Sequence, residues 1–501
     1  MLNRQALNVV ANFSGVTARL VFSLVFSIIY FRLLGSESYG LIGFYVSLAA
    51  LSALFDLGLN QTVVREVARR GADGEGAGEL RTVVFTLLLL LFVIGLSLGL
   101  LVAFGAPWIA ASWFSAAQLA TQEITASVAL MGGALALLFP ANVFYGTLSG
   151  LQRQVLSNGL IVAATAFRGV LTVAALFAFG PSPVIFFSAQ IIASAIEAGA
   201  LSFVVWGLLP PSPLRLHFDA ALLRSTWKFS SGTWLAVTLA QIAMLGDKII
   251  LSTLLPLHLF GLYSLAVTVT STIQRLAAPF TNTFFPHFVR LKEEDRPDAL
   301  LGAYRAAGEF ASAIFLPAGL LLIAYAAPLA QLLSTDAADT ARLGWLIALL
   351  AAANTLNVEM ALPFSLLFAH GITAVALRIN LALCVLYPAA LVLLVPRYGV
   401  EAAAALWLAA NALMLPALIA MTHRLILPGQ AWQWLVRTIL LPGCGAALVL
   451  AAGAATMPDL SHLPMLIWIG LNGVLALAAT LLCAPETRKV ILARLGNRRS
   501  A

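Results

Sequence analysis

The stretch YFRLLGSESYGLIGFYVSLAALSALFDLGLNQTVVREVARR, residues 30–70, decides how the chain is read. Apolar residues lead up to Leu34, the turn GSES follows at 35–38, and a second apolar run reaches the lone acid Asp56. Arg65, Arg69 and Arg70 close the stretch. Roughly 20 apolar residues cross a bilayer as a helix. The pattern therefore predicts two membrane helices joined by a tight turn, with a basic segment where the second emerges. GSES and Gly40 are expected to let the helices reverse and to carry no chemistry.

The rest of the chain extends this reading. Of 501 residues, 61% are hydrophobic and 10% charged, against about 25% charged in a soluble domain. Short alternating strands of the kind that build membrane barrels are absent. The fold class is all-α, a polytopic membrane protein of about fourteen transmembrane helices. Hydropathy places them near 9–33, 39–61, 82–106, 124–148, 155–180, 184–208, 229–253, 259–284, 309–333, 342–366, 372–395, 400–422, 438–457 and 463–483. The first is read as a membrane helix and not a cleavable signal, because it is too long and carries Arg19.

The net charge of +7 raises nucleic acid as a partner, but its placement excludes that. With the N-terminus in the cytoplasm, 20 of the 28 Lys and Arg fall on inside segments, among them Arg4, Arg153, Arg224, Arg290, Arg305, Arg424 and the tail from Arg488. Outside segments hold Arg32, Arg342 and Arg397. This is the positive-inside bias, and it makes both termini cytoplasmic.

The opening stretch recurs. LLGSESYGL at 33–41 aligns with LLPLHLFGL at 254–262, so that Gly40 falls on Gly261 and, at the same offset, Gly150 falls on Gly371. Six helices lie between the copies, which predicts two parallel repeats related by an axis along the membrane normal. The expected organisation is a six-helix lobe over 1–210, a second over 211–425, and a helix pair with a basic tail over 426–501. The two parallel lobes would bracket a central cleft.

These motifs carry a resemblance. LLGSESYGL with the following DLGL and arginines, GLQR at 150–153, and DKIIL with FGLYS over 247–264 resemble the Wzx-type oligosaccharide (polysaccharide) flippases. These belong to the multidrug/oligosaccharidyl-lipid/polysaccharide exporter superfamily. The resemblance covers the first twelve helices. It implies transport of undecaprenyl-diphosphate-linked oligosaccharide repeat units, of O-antigen or exopolysaccharide, from the inner to the outer leaflet of the bacterial inner membrane. Alternating access, with proton or sodium coupling, and no other cofactor would drive the step. A glycan polymerase and a chain-length regulator join membrane lipids as implied partners.

Charge inside a membrane costs several kcal/mol, so the residues with most to say are the intramembrane charges. The basic set is Arg19, Arg168, Lys248, Arg275 and Arg378, and the acidic set is Asp56, Glu197, Asp247 and Glu359. Arginine offers a fixed fork of donors that matches phosphate oxygens. Arg19, Arg168 and Arg275 are thus the leading candidates for the substrate diphosphate, followed by Lys248 and Arg378. Glu197 is also placed to neutralise Arg168. Among the acids, Glu197 and Glu359 suit ion coupling. Asp56 suits a backbone bond at a gate or an ion pair with Arg65 or Arg69, and Asp247 joins the ion-coupling or gating set.

No catalytic apparatus emerges. The glycines of GADGEGAGEL lack the strand and lysine of a nucleotide cradle, and the six histidines show no metal spacing. A glycan-joining enzyme would need a large extracytoplasmic loop, whereas the longest outside segment is 107–123. Two other transport readings stay open, a cation-coupled multidrug or toxin extruder and a lipid II flippase.

Overall fold

A computed structural model of the chain describes residues 2–71, 79–211, 216–224, 226, 247–275, 277–334 and 336–485. Among them every regular element is helical, as hydrocarbon demands, since a helix satisfies its backbone N–H and C=O groups internally. The longer helices begin with α1 Leu2–Ser52, α2 Leu59–Arg70, α3 Leu80–Ser112, α4 Thr121–Gly150, α5 Gln154–Phe179 and α6 Pro183–Leu208. They continue as α7 Leu257–Thr270, α8 Ala277–Glu293, α9 Pro297–Ala324, α10 Ala326–Leu333, α11 Ala337–Glu359 and α12 Ala361–Ala369. The last four are α13 Ala374–Tyr398, α14 Val400–Ile426, α15 Leu441–Ala455 and α16 His462–Leu482.

Eleven helices among the described residues are long and apolar enough to cross a membrane. Their outward residues are apolar too: Phe104, Phe203, Leu413 and Leu448 are each more than 70% exposed, which suits lipid and not water. The differences from the fourteen expected spans have local causes. The first two merge into α1, which breaks at one residue, Gly35, with φ 79° and ψ 175°, a backbone state open to glycine. Most of the span at 229–253 lies outside the described residues, as does the 72–78 part of the glycine-rich loop. The span at 259–284 is interrupted at Ser271, between α7 and the short turn Thr272–Arg275.

The chain divides into two compact units, Met1–Ser264 and Leu265–Ala501. In the first, α3 and α4 run against each other at glycines. A Cβ added to Gly99 or to Gly132 would strike the carbonyl oxygen of the other. Small residues let membrane helices approach this closely, and Val83, Leu87, Leu91, Phe139 and Phe144 fill the core alongside.

At one end of this unit the opening motif makes a second close approach. A Cβ on Gly261 would meet the backbone oxygen of Ser36, and one on Gly40 would lie 2.5 Å from the oxygen of Leu257. Glu37, 5% exposed, accepts the backbone N–H groups of Ala117, Gln118 and Leu119 at 2.7, 2.9 and 2.9 Å. The N–H of Leu257 donates to Ser115 O at 2.9 Å. GSES is therefore more than a reversing turn. Its carboxylate holds the 113–120 segment through three consecutive N–H groups.

In the second unit α9 is central. Tyr304, Ala307, Ala311 and Phe315 join Leu367, Leu418 and Trp434 in one core. The α15–α16 pair packs through Ala446, Leu450, Met465 and Ile469 against Tyr325, and Thr480 Oγ1 donates to Ala313 O at 3.2 Å.

Two measurements check the close approach in the first unit. Gly261→Ala should lower stability by about 1–3 kcal/mol in detergent. Gly159→Ala, whose methyl would meet nothing within 4 Å, should leave the midpoint unchanged or higher. Glu37→Ala should raise amide hydrogen exchange at residues 117–119 while exchange in α3 and α4 stays slow.

Candidate functional site

A polar site within the first unit is assembled from four helices. On α6, Gln190, Ser194 and Glu197 follow the i, i+4, i+7 spacing that puts side chains on one helix face. Arg168 on α5 meets this face with both nitrogens of its fork. Nη1 donates to Gln190 Oε1 and Ser194 Oγ, each at 3.0 Å, and Nη2 donates to Glu197 Oε2 at 2.6 Å. Tyr145 on α4 donates its hydroxyl to the other oxygen of Glu197 at 2.8 Å. Behind them Gln190 Nε2 donates to Thr172 Oγ1 at 3.1 Å, and Thr172 Oγ1 donates to Arg168 O at 2.8 Å.

The cluster is not sealed. Arg168 and Glu197 keep 23% and 17% of their side-chain surface exposed and line a cavity of about 410 Å³ with Asn142, Tyr145, Thr165 and Ser194. Arg19 on α1 completes the wall, and no ion pair holds it among the described residues. One cavity thus presents two guanidinium groups, one carboxylate and several hydroxyl and amide groups at the depth of the apolar spans. An anion fits that chemistry, with the arginines as charge and fork, and the neutral groups as hydrogen-bond partners.

The other predicted residues lie elsewhere. Asp56 accepts the N–H of Asn60 at 3.3 Å at the break where α1 gives way to α2, beside Leu57 and Gly58 in left-handed conformations. The basic segment beside it is served by Glu66, which pairs with Arg69 at 2.7 Å and with Arg70. Asp247 bonds the Tyr263 hydroxyl, its Oδ1 has no partner, and Lys248 follows it in the helical residues 247–254. In the second unit Arg275 ends a short helical turn, and Arg378 is exposed on α13. Glu359, 5% exposed at the end of α11, accepts from Ser312 Oγ at 2.7 Å through Oε2, and its Oε1 has no partner. Of the nine predicted residues, only Arg19, Arg168 and Glu197 line this cavity.

Several polar residues were missed in the sequence. Tyr145 and Gln190 carry no charge and so gave no signal there, although the Gln190–Ser194–Glu197 spacing was readable. In the second unit an amide chain runs from Gln274 to Asn357 at 3.0 Å and from Asn357 to Asn411 at 2.8 Å. Trp407 Nε1 donates to Asn354 Oδ1 at 3.1 Å, and Asn354 donates to Thr270 at 3.1 Å.

With this geometry in view, known proteins supply the family. The sequence model described as polysaccharide biosynthesis protein matches residues 6–292, more than half of the chain and every residue of the cavity wall. The chain belongs to that family. No curated protein matches the sequence. Solved structures match the fold at low identity. The lipid II flippase MurJ in an inward closed conformation is similar with a TM-score of 0.69 and 12% identity, over 97% of this chain and 100% of that one. An inward-facing multidrug resistance MATE family transporter of the MOP superfamily is similar with a TM-score of 0.64 and 15% identity, over 84% of this chain and 99% of that one. An outward-facing MATE family transporter of the same superfamily follows with a TM-score of 0.57 and 14% identity, over 84% of this chain and 95% of that one. This member of the polysaccharide biosynthesis family is thus a multi-pass membrane protein with a MATE- and MurJ-like fold. By their own names these solved neighbours are MATE family transporters and a lipid II flippase.

The two arginines of the cavity should separate in stability measurements. Arg168→Ala strands a half-buried carboxylate and should cost about 1–3 kcal/mol. Arg19→Ala breaks no ion pair and should stay within about 0.5 kcal/mol of the parent. Chemical denaturation in detergent reads both.

Proposed function

We propose that the protein flips undecaprenyl-diphosphate-linked oligosaccharide repeat units of O-antigen or exopolysaccharide across the bacterial inner membrane. The observation that carries this reading is the pairing of Arg19 and Arg168 in one polar cavity at membrane depth. A diphosphate does not enter hydrocarbon uncompensated, and guanidinium forks are the side chains best shaped to receive it. Membership of the polysaccharide biosynthesis family supports a glycan-bearing lipid as cargo. The positive-inside bias supports cytoplasmic termini and loading from the inner leaflet. The motif recurrence at Gly40 and Gly261 supports two repeats that divide near residue 210 and transport by alternating access. Arg275, Lys248 and Arg378 are assigned to later contacts with the headgroup along its path.

Glu359 supports ion coupling as part of the same reading. Its Oε1 is buried without a partner, which is where a proton or a sodium ion would sit. Asp247, also with an unpartnered oxygen, is the second candidate, and Asp56 belongs to a gate. Outside the membrane the flipped unit would pass to a polymerase under a chain-length regulator.

Reconstituted flipping of a polyprenyl-diphosphate oligosaccharide tests the reading. Arg19→Ala and Arg168→Ala should each lower the rate by about tenfold or more with normal insertion. Unchanged rates in both variants would remove the cavity from the mechanism. Transport of an organic cation in place of the lipid would replace the flippase by an extruder, and transport of lipid II in place of the oligosaccharide would reassign the cargo. Glu359→Gln should abolish any response of the rate to an imposed ion gradient while leaving cargo binding intact.

A further inference from the structure

The headgroup reading, on which this inference rests, meets an obstacle in its own site. The guanidinium that is to receive a phosphate already holds a carboxylate, Arg168 Nη2 to Glu197 Oε2 at 2.6 Å. We propose that Glu197 is a built-in stand-in for the substrate phosphate, seated on Arg168 while the carrier is empty and displaced from it when the headgroup loads.

Four features distinguish this pair from a structural brace. It lines the cavity, so an incoming anion reaches it. Glu66 with Arg69 and Arg70 is the contrast, a cluster outside this cavity whose acid is 3% exposed. Second, the fork is divided. Nη1 is fixed by Gln190 and Ser194, so the guanidinium keeps its place when Nη2 changes partner. Third, the carboxylate has an anchor of its own, the Tyr145 hydroxyl on Oε1 at 2.8 Å, which retains it in the wall after Arg168 lets go. Fourth, Arg19 stands in the same wall without an ion pair, a first contact for the anion before exchange at Arg168.

The physical gain lies in the return step. Two guanidinium groups with no counter-charge among apolar spans would cost several kcal/mol, and that cost would fall on the unloaded carrier each time it resets. A carboxylate on Arg168 removes much of it. The same carboxylate competes with cargo, so affinity is traded for turnover. An acid whose only job is to brace α5 against α6 would behave in the opposite way, because its loss would disorder Arg168 and weaken anion binding.

Calorimetric titration of the full-length chain in nanodiscs tests this, with inorganic pyrophosphate and a short-chain polyprenyl diphosphate as probes. Glu197→Gln keeps the shape and should bind both at least about tenfold more tightly than the parent. Its multiple-turnover flipping should be slower. Glu197→Asp, too short to reach Arg168 yet still charged, should tighten binding less. In the Arg168→Ala background the Gln substitution should have no effect, since no guanidinium is left to free. Equal or weaker binding by Glu197→Gln, with the parent binding normally, overturns the displacement and leaves the headgroup reading standing. Failure of parent and variant alike to bind either probe overturns both.

Discussion

A guanidinium held inside an apolar span must be answered from neighbouring helices, and the demand at Arg168 organises the polar interior of the first unit. Its fork reaches three residues on α6, α4 supplies the hydroxyl that meets Glu197, and α1 brings Arg19 to the same wall. Any one of these groups alone would be a liability in hydrocarbon. Arg168, its α6 partners and Tyr145 satisfy one another and, with Arg19 in the same wall, leave a cavity whose chemistry favours an anion. The site is thus the product of a solvation requirement before it is a recognition device.

Close packing supplies the frame. Gly99 with Gly132, and Gly40 with Gly261, bring backbones to separations that no Cβ would permit. Where lipid gives helices no hydrophobic reason to associate, such van der Waals contact and polar bonds provide the cohesion. Glu37 adds a polar counterpart, a single carboxylate gathering three consecutive N–H groups of the 113–120 segment. Backbone and side chain close that end of the unit together.

The second unit meets the same constraint with neutral groups. Its Gln274–Asn357–Asn411 chain and the Asn354–Trp407 bond place no net charge in the interior, and a self-satisfied amide network of this kind specifies one packing. Two buried acids depart from this, Glu309 at 1% exposed and Glu359, the latter bonded on one oxygen and bare on the other. In our reading the first contact with the anion lies in the first unit, and Glu359 of the second is the leading group for ion response.

Composition and hydropathy were enough to establish an all-helical, polytopic membrane protein, because hydrocarbon leaves the backbone no other economical arrangement without alternating strands. The motifs around Gly40, Gly150 and Asp247 were enough to point to the family. Charge in apolar runs also singled out Arg168 and Glu197, since such residues are rare enough there to stand out. Tertiary structure decided the rest. Arg19 and Arg168 are 149 positions apart, so nothing local says that they share a cavity while Arg275 and Arg378 do not. Glu37 looked like part of a turn because its three partners lie 80 to 82 residues away. Tyr145, Gln190 and the amide chain were silent because neutral polar residues are common in membrane helices. Which of them face one another depends on how helices rotate and cross, and sequence periodicity alone does not contain that.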